Sequence, residues 1–320
     1  MRKIAVCVNF INEAYRHQID AAAEGCGFAV HYYDSPAAMT PHAADYEVIF
    51  GHPAPALLKQ ATSLKWMCSD TAGVEKYLGD SIWPDPACLL SNSSGAYGPT
   101  ISEHIIMVLL MLLRRMPEYS ADLAQRKWTF HTPIRGIHGS HVVMLGTGDI
   151  GRNTARRLKD LGASVTGVCR SGRSDEPAFD KVLPIDQLDS VLPQADVLIM
   201  ALPATASTEG ILSRERIALL GSDAYLINVG RGSAIDQDAL VEALQSHRIA
   251  GASLDVMVPE PLPTDHPLWD CPNALLTPHI SGNMSLGLTC DLAVNMFCED
   301  LRRYAEGQPL RHQVDRRRGY

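Results

Sequence analysis

"VVMLGTGDIG", Val142–Gly151, decides how the second half of this 320-residue chain is read. Four apolar residues suited to a buried strand run into Gly146, Gly148 and Gly151, and the helix-forming stretch "DIGRNTARRLKDLG" follows. The letters GxGxxG alone are weak evidence, but between a strand and a helix they have a mechanical meaning. Gly146 allows a tight turn, Gly148 lets a diphosphate approach the backbone, and Gly151 lets the helix close on the sheet. The free amides of Asp149, Ile150 and Gly151 and the positive end of the helix would then attract that diphosphate. A glycine-rich turn with no ligand is the plainer alternative. The charge of Asp149 opposes an anion, so its side chain is expected to point away or to cap nearby amides.

Outward from this turn the chain keeps a βα rhythm. "HVVML", "SVTGVC", "ADVLIMAL", "AYLINVG", "AGASLDV" and "ALLTP" read as strands. "IDQLDSVLPQ", "SRERIALLG" and "DQDALVEALQSH" read as helices between them. Near-continuous apolar strands with amphipathic crossovers indicate a doubly wound parallel sheet covered on both faces. An earlier set of short strands, "KIAVCVN", "FAVHYYD", "YEVIFG", "LKWMCSD" and "ACLLSN", suggests a second parallel sheet. One long helix is expected over about 99–127, holding the apolar run "IIMVLLMLL", Ile105–Leu113, and buried on nearly every side. A closing helix is expected over about 291–306. The domains are expected at 99–284, for the part with the glycine turn, and at 1–98 plus 285–320 for the other.

Composition narrows the function classes. Hydrophobic residues make up 46 % and charged residues 20 %, and the formal charge is −8. That balance excludes the concentrated basic footprint of a nucleic-acid surface. Nine apolar residues reach only about halfway across a bilayer's hydrocarbon core, so no membrane span is expected. The eight cysteines form no CxxC pair and several lie in apolar runs. They read as buried or half-buried reduced thiols, which suggests a reducing compartment, and a cytoplasmic location is expected.

The end of the second strand tests the cofactor. An NAD site usually has an acid there for the adenosine ribose, but here "TGVCRSGRSD" sets Cys169 at that position, with Arg170, Ser171 and Arg173 after it. Two guanidiniums and a hydroxyl suit a 2′-phosphate, because arginine makes forked, charge-assisted hydrogen bonds to phosphate oxygens. NADP(H) is therefore the expected cofactor, with NAD(H) as the alternative and a solvated basic loop as the bland reading.

Three later stretches fall at strand ends, where open α/β sheets bind ligands. They are "INVGRGS" with Arg231, "LDVMVPEPLP" with Asp255 and Glu260, and "TPHISG" with His279 and Gly282. Arginine can clamp a carboxylate, and histidine can move a proton near neutral pH with a glutamate to orient it. Singly these residues are ordinary strand-end polar groups. Together, beside a dinucleotide turn, they form a candidate reacting site. No metal site is expected, since His138 and His141 lack ordered thiol or carboxylate partners nearby.

Over nearly its whole length the chain resembles the D-isomer-specific 2-hydroxyacid dehydrogenase family. The stretches that carry the likeness are "LKWMCSDTAGVEKYL", "NSSGAYGPTISEHIIMVLLMLLRR", "LGTGDIG", "LPATASTEGIL", "LINVGRGSAIDQDALVEAL" and "PEPLPTDHPLWDCPNALLTPHISG". The ordered set Arg231, Glu260, His279, spaced by 29 and then 19 residues, is more specific than the glycines. The resemblance implies a Rossmann-type nucleotide domain and a flavodoxin-like substrate domain with a cleft between them. It implies His279 as acid/base, Glu260 as its partner and Arg231 on the substrate carboxylate. Ala72, Gly73 and Val74 would offer amides to that carboxylate. Thr100, Leu202, Pro203, Thr208 and Val229 would line the cofactor cleft, and Asp255 would touch the nicotinamide end. The family departures are Cys169 with Arg170, the NADP-preferring variation, and Gly230 where alanine is common, expected only to loosen local packing. A homodimer formed around the helix-rich region from Pro99 is also implied.

The activity so expected is reversible reduction of a small 2-oxo acid to the D-2-hydroxy acid by hydride transfer. Two alternatives stay open: a dedicated glyoxylate/hydroxypyruvate reductase, and a dinucleotide-sensing binding protein with little chemistry. Residues flanking C3 of the substrate would set selectivity, and Trp66, Thr71, Tyr97, Trp269 and Met284 cannot be ranked for that role from sequence.

Overall fold

A computed structural model describes residues 2–320. The chain forms two compact units, Met1–Tyr97 with Asn283–Tyr320, and Gly98–Gly282. Each unit is built on one wholly parallel sheet.

In the first unit the strands are β1 (Arg2–Cys7), β2 (Phe28–Tyr32), β3 (Val48–Gly51), β4 (Trp66–Cys68) and β5 (Leu89–Ser91). Their order is β2-β1-β3-β4-β5, the flavodoxin-like arrangement. The period of two sorts their side chains to opposite faces. Ala5, Cys7, Ile49 and Met67 join one core, while Ile4, Val6, Val48, Phe50, Trp66 and Cys68 join the other. The closing helix, Gly287–Ala305, covers the second face. Its Phe297 stacks on Phe50 with centroids 4.3 Å apart and lies 5.5 Å from Trp66.

The second unit holds β6 (His141–Leu145), β7 (Ser164–Cys169), β8 (Lys181–Pro184), β9 (Val197–Met200), β10 (Tyr225–Asn228), β11 (Gly251–Leu254) and β12 (Ala274–Leu276). Their order, β12-β11-β10-β9-β6-β7-β8, is the nucleotide-binding order read from the other edge and extended by one strand. β6 pairs with both β7 and β9, so the chain reverses direction across the sheet at the end of β6. Open sheets bind ligands at such a switch point, and the glycine turn begins there.

The structure corrects three expectations. The helix expected over 99–127 is two, Gly98–Leu113 and Met116–Ala124. Arg115 between them takes a left-handed φ of 58°, and Pro117 then blocks a continuous ladder. Nor is the apolar run buried on nearly every side. Ile105, Val108, Leu109, Leu112 and Leu113 face the core, while Met107 and Leu110 are exposed. Finally, "IDQLDSVLPQ" forms one short helix, Leu188–Val191, between two 3-10 turns, and the edge strand β8 ahead of it had no clear sequence signal.

Candidate active site

At the glycine turn the three glycines meet different constraints. Gly146 has φ 106°, and a Cβ on it would lie 2.7 Å from the Ala201 carbonyl on the neighbouring strand end. A Cβ on Gly151 would fall on the carbonyl of Gly146. Around Gly148 no atom comes within 4 Å of a built Cβ. The first and third positions are therefore set by packing and the second opens onto free space, as a diphosphate cradle requires. The Asp149–Asp160 helix starts here with Gly148 as its N-cap, and its first amides lack intrahelical acceptors. Asp149 turns its carboxylate to the protein. Oδ2 accepts from the Gly98 amide at 2.7 Å and Oδ1 from Asn153 at 3.0 Å. Burial raises its pKa, against the opposing pull of those donors and of Arg152 and Arg156. The same contact anchors the start of the Gly98–Leu113 helix, where Thr100 is buried.

β7 ends at Cys169, and the chain turns through Gly172 at φ 63°. Ser171 Oγ lies 3.4 Å from the Cys169 sulfur and donates to the Arg173 carbonyl at 3.2 Å. Burial alone would raise the thiol's pKa. Hydrogen bonds from Ser171 and Thr147, and from the backbone of Arg173 and Gly172, outweigh it and leave the pKa below the ordinary value. Thr147 sits inside the glycine turn, so the two turns are joined. Arg170, Ser171 and Arg173 are exposed on this corner. Arg152, not singled out from sequence, reaches it as well, donating to the Thr147 carbonyl at 3.3 Å.

Past β9, Leu202 and Pro203 lead into a turn held by Thr208, whose hydroxyl donates to the Pro203 carbonyl at 2.6 Å. Past β10, buried Val229 donates to the Met200 carbonyl at 3.0 Å. Gly230 follows, and its reading as a loosening substitution is overturned. A Cβ there would sit 2.6 Å from the Leu202 nitrogen and 2.7 Å from its oxygen. The backbones of 201–202 have closed into the space, so glycine here permits tighter packing.

The next turn carries Arg231. Asn228 shapes it, accepting from the Gly230 amide at 3.0 Å and donating to the Arg231 carbonyl at 2.9 Å. The Arg231 guanidinium donates to the Gly230 carbonyl at 2.7 Å. Gly232 presses against the 257 backbone, where a Cβ would meet the Met257 carbonyl oxygen at 2.5 Å. Met257 in turn donates to Glu260 Oε1 at 3.0 Å, and Glu260 Oε2 lies 2.7 Å from His279 Nδ1. A continuous set of contacts thus brings the turns of Arg231, Glu260 and His279 together.

His279 itself has a left-handed φ of 53°. For a residue with a Cβ that conformation persists only where the surroundings enforce it. Asp255 enforces it. Its carbonyl accepts from the His279 amide at 2.9 Å, and its side chain accepts from Thr277 Oγ1 at 2.6 Å and from the amides of Ile280 and Ser281, both at 2.9 Å. Burial pushes the Asp255 pKa up, but these hydrogen bonds prevail and hold it below the usual carboxylate range. The imidazole remains about half exposed. Gly282 closes this segment.

In the first unit, Ala72, Gly73 and Val74 follow β4. Asn92 donates to the Ala72 carbonyl at 2.7 Å, Thr71 to that of Gly73 at 3.0 Å, and the Tyr77 amide to that of Val74 at 2.8 Å. With all three carbonyls engaged, the loop has a fixed shape and exposes Ala72.

Residues 106–281 match the D-isomer specific 2-hydroxyacid dehydrogenase family, NAD binding domain. Glyoxylate/hydroxypyruvate reductase A of Photorhabdus laumondii is 32 % identical over 286 residues, 87 % of this chain and 88 % of its own. This chain belongs to that family. A crystal structure of a D-isomer specific 2-hydroxyacid dehydrogenase family protein from Aeromonas salmonicida superposes with a TM-score of 0.86 at 34 % identity, covering 98 % of this chain and 99 % of the other. The NADPH-dependent glyoxylate/hydroxypyruvate reductase of Sinorhizobium meliloti superposes at 0.83 with 28 % identity over all of both chains.

The turns of this site are also held by residues that sequence reasoning passed over. Asn228, Thr277 and Ser281 shape the turns of Arg231 and His279 by hydrogen bonds, and nothing in their spacing distinguishes them from ordinary turn residues. His104 lies on the Gly98–Leu113 helix near enough to Asp255 to feel its charge, though burial dominates and lowers the His104 pKa.

Proposed function

We propose that this dehydrogenase reduces a small 2-oxo acid to the D-2-hydroxy acid with NADPH, and runs the reverse reaction when product and NADP are in excess. The observation that carries the reading is the 2.7 Å contact between His279 Nδ1 and Glu260 Oε2, linked through Met257 and Gly232 to the turn of Arg231. Glu260 fixes Nδ1–H, leaving Nε2 as the proton-transferring nitrogen. Protonated His279 gives its proton to the carbonyl oxygen as charge grows there, and the guanidinium of Arg231 stabilises both that charge and the substrate carboxylate. The amides of Ala72, Gly73 and Val74 bind the same carboxylate. The glycine turn holds the diphosphate, and Thr100, Leu202, Pro203, Thr208 and Val229 flank the dinucleotide. Bound NADPH supplies the hydride equivalent. In oxidation, neutral His279 takes the proton from the hydroxyl.

NADPH is preferred over NADH because Arg170, Ser171, Arg173 and Arg152 occupy the corner where an acid would bind a free 2′-hydroxyl. Two relatives support this: the S. meliloti enzyme, solved with NADP, and a Xanthobacter autotrophicus family member solved with NADPH, 27 % identical. Replacing Arg170 by Asp should move the NADPH/NADH ratio of kcat/KM towards NADH by about tenfold or more, the value of one lost charge-assisted contact; an unchanged ratio defeats the assignment. Glyoxylate and hydroxypyruvate are the first acids to assay, since relatives from P. laumondii and human carry those names. The test of the whole reading is a spectrophotometric screen of 2-oxo acids against NADPH and NADH. Failure of every acid to oxidise either nucleotide would favour the binding-protein alternative.

The enzyme is further proposed to act as a homodimer in a reducing compartment. Exposed apolar side chains gather between Met107 and Ile134, as a covered face requires.

A further inference from the structure

After the closing helix the chain runs back along the sheet of its own unit. β5 is an edge strand, and the tail covers that edge, pairing antiparallel at Ser91 and Gln313. The Val314 amide donates to the Leu90 carbonyl at 2.8 Å, and the Asn92 amide to the His312 carbonyl at 3.2 Å. The register of the tail is set by Asp300 on the closing helix, whose side chain is 1 % exposed. Its carboxylate accepts from the amides of Arg311 at 2.7 Å and His312 at 3.2 Å, and lies 3.1 Å from His312 Nδ1. Further on, Val314 is buried in one core and the Arg316 guanidinium lies 5.1 Å from the centre of the Trp83 ring.

Asn92, the first residue past β5, joins this tail to the loop of Ala72, Gly73 and Val74, and all of them belong to the first unit. Its backbone amide is held by the tail, its Oδ1 accepts from the Ser94 amide at 3.2 Å, and its Nδ2 donates to the Ala72 carbonyl at 2.7 Å. The Ala72–Gly73 peptide bond is trans, so its C=O and N–H point in opposite directions. Drawing the Ala72 carbonyl towards Asn92 therefore turns the Gly73 N–H away from it. Among the described residues, the amides of Ala72, Gly73 and Val74 have no acceptor. We propose that Asn92, registered by Asp300 and His312, is a positioning residue that aims the Gly73 amide at the carboxylate of the 2-oxo acid. The assignment rests on the reading above that the amides of this loop bind that carboxylate. His312 acts at one remove, by holding the strand of tail to which the Asn92 backbone is tied.

The carboxylate keeps its charge while the carbonyl is reduced, so a contact to it is equally strong before and during the reaction. Losing that contact raises KM and spares kcat. At saturating NADPH, Asn92→Ala should raise the KM of the 2-oxo acid used best in the screen by about tenfold, the value of one hydrogen bond. Its kcat should stay within about threefold, and NADPH affinity by fluorescence titration should be unchanged, because the glycine turn lies in the other unit. His312→Ala leaves Val314 and Arg316 to keep the tail in place, and should raise the same KM by about threefold. The double variant should be no worse than Asn92→Ala, since both substitutions act through one contact. A residue that merely supports the fold would lower kcat and NADPH affinity together, and its losses would add to those of Asn92→Ala. An unmoved KM in Asn92→Ala, or additive losses in the double variant, overturns this assignment alone. Absence of turnover of any 2-oxo acid by the unaltered enzyme overturns the reductase reading, and this assignment with it.

Discussion

His279 occupies a backbone conformation that costs a residue with a side chain on the order of 1–3 kcal/mol. The cost is met by Asp255, whose carbonyl and carboxylate together accept from His279, Thr277, Ile280 and Ser281. Two residues that look equally functional in the sequence thus do different things: His279 presents a ring, and Asp255 fixes the segment that presents it. Replacing His279 by Ala should lower kcat by about 10²–10⁴-fold, with NADPH affinity from fluorescence titration unchanged; comparable turnover would remove it from the chemistry. Replacing Asp255 by Asn should lower stability at pH 7 by about 1–3 kcal/mol, because a charged acceptor of several donors is lost. The folded pKa of Asp255 is depressed, so its contribution is present above the unfolded value of about 3.9 and disappears only as pH falls through the lower folded value. Thermal melts of the two proteins should therefore differ at pH 7 and converge only below about pH 4. Convergence already near pH 6 would contradict this. That Glu260 and His279 meet was legible, since a strand-end acid and a strand-end imidazole have complementary chemistry. That four donors converge on Asp255 was not, because those donors are ordinary turn residues and backbone amides.

At the scale of elements, close backbone approaches position the reacting turns. Gly232 lies against the Met257 carbonyl, and Met257 donates to Glu260, so a methyl group at 232 must displace one of these backbones. Replacing Gly232 by Ala should cost about 1–3 kcal/mol in stability. It should also lower kcat/KM for the 2-oxo acid more than it weakens NADPH, since the glycine turn at 146–151 is a separate feature. Equal losses in both would mean that the whole unit had loosened. Gly230 carries the same lesson in reverse, because the sequence showed a missing methyl and could not show the 201–202 backbone that had moved into its place. The strands β6, β9 and β10 were readable because each carries a buried apolar run, Val142–Leu145, Val197–Met200 and Leu226–Ile227. β8 was not, as an edge strand of four residues that opens on an exposed lysine and ends on proline. The long helix was misread at Arg114–Met116 because apolar periodicity continues through the break, while the left-handed residue that makes it, Arg115, has no distinctive side chain.

For the molecule as a whole, the parallel order of both sheets was legible because each βα alternation has essentially one right-handed way to pack. Exposure was harder to read, since a run of apolar letters does not say which of them a single chain covers. In the Gly98–Leu113 helix, one face is core and the other leaves Met107 48 % exposed, and Trp128 and Phe130 further along are 91 % and 82 % exposed. Isolated apolar surface is common, but a succession of large side chains within one segment is what a subunit contact needs. The proposed homodimer would cover them, and this can be separated from any effect on folding. Met107→Asp with Leu110→Asp adds two charges to a face the single chain leaves in water, so the monomer fold should be preserved by circular dichroism. Light scattering should then give about 35 kDa for the variant and twice that for the unaltered protein, from the chain mass of 34.9 kDa. Equal masses for the two proteins would mean that this face is not the subunit contact.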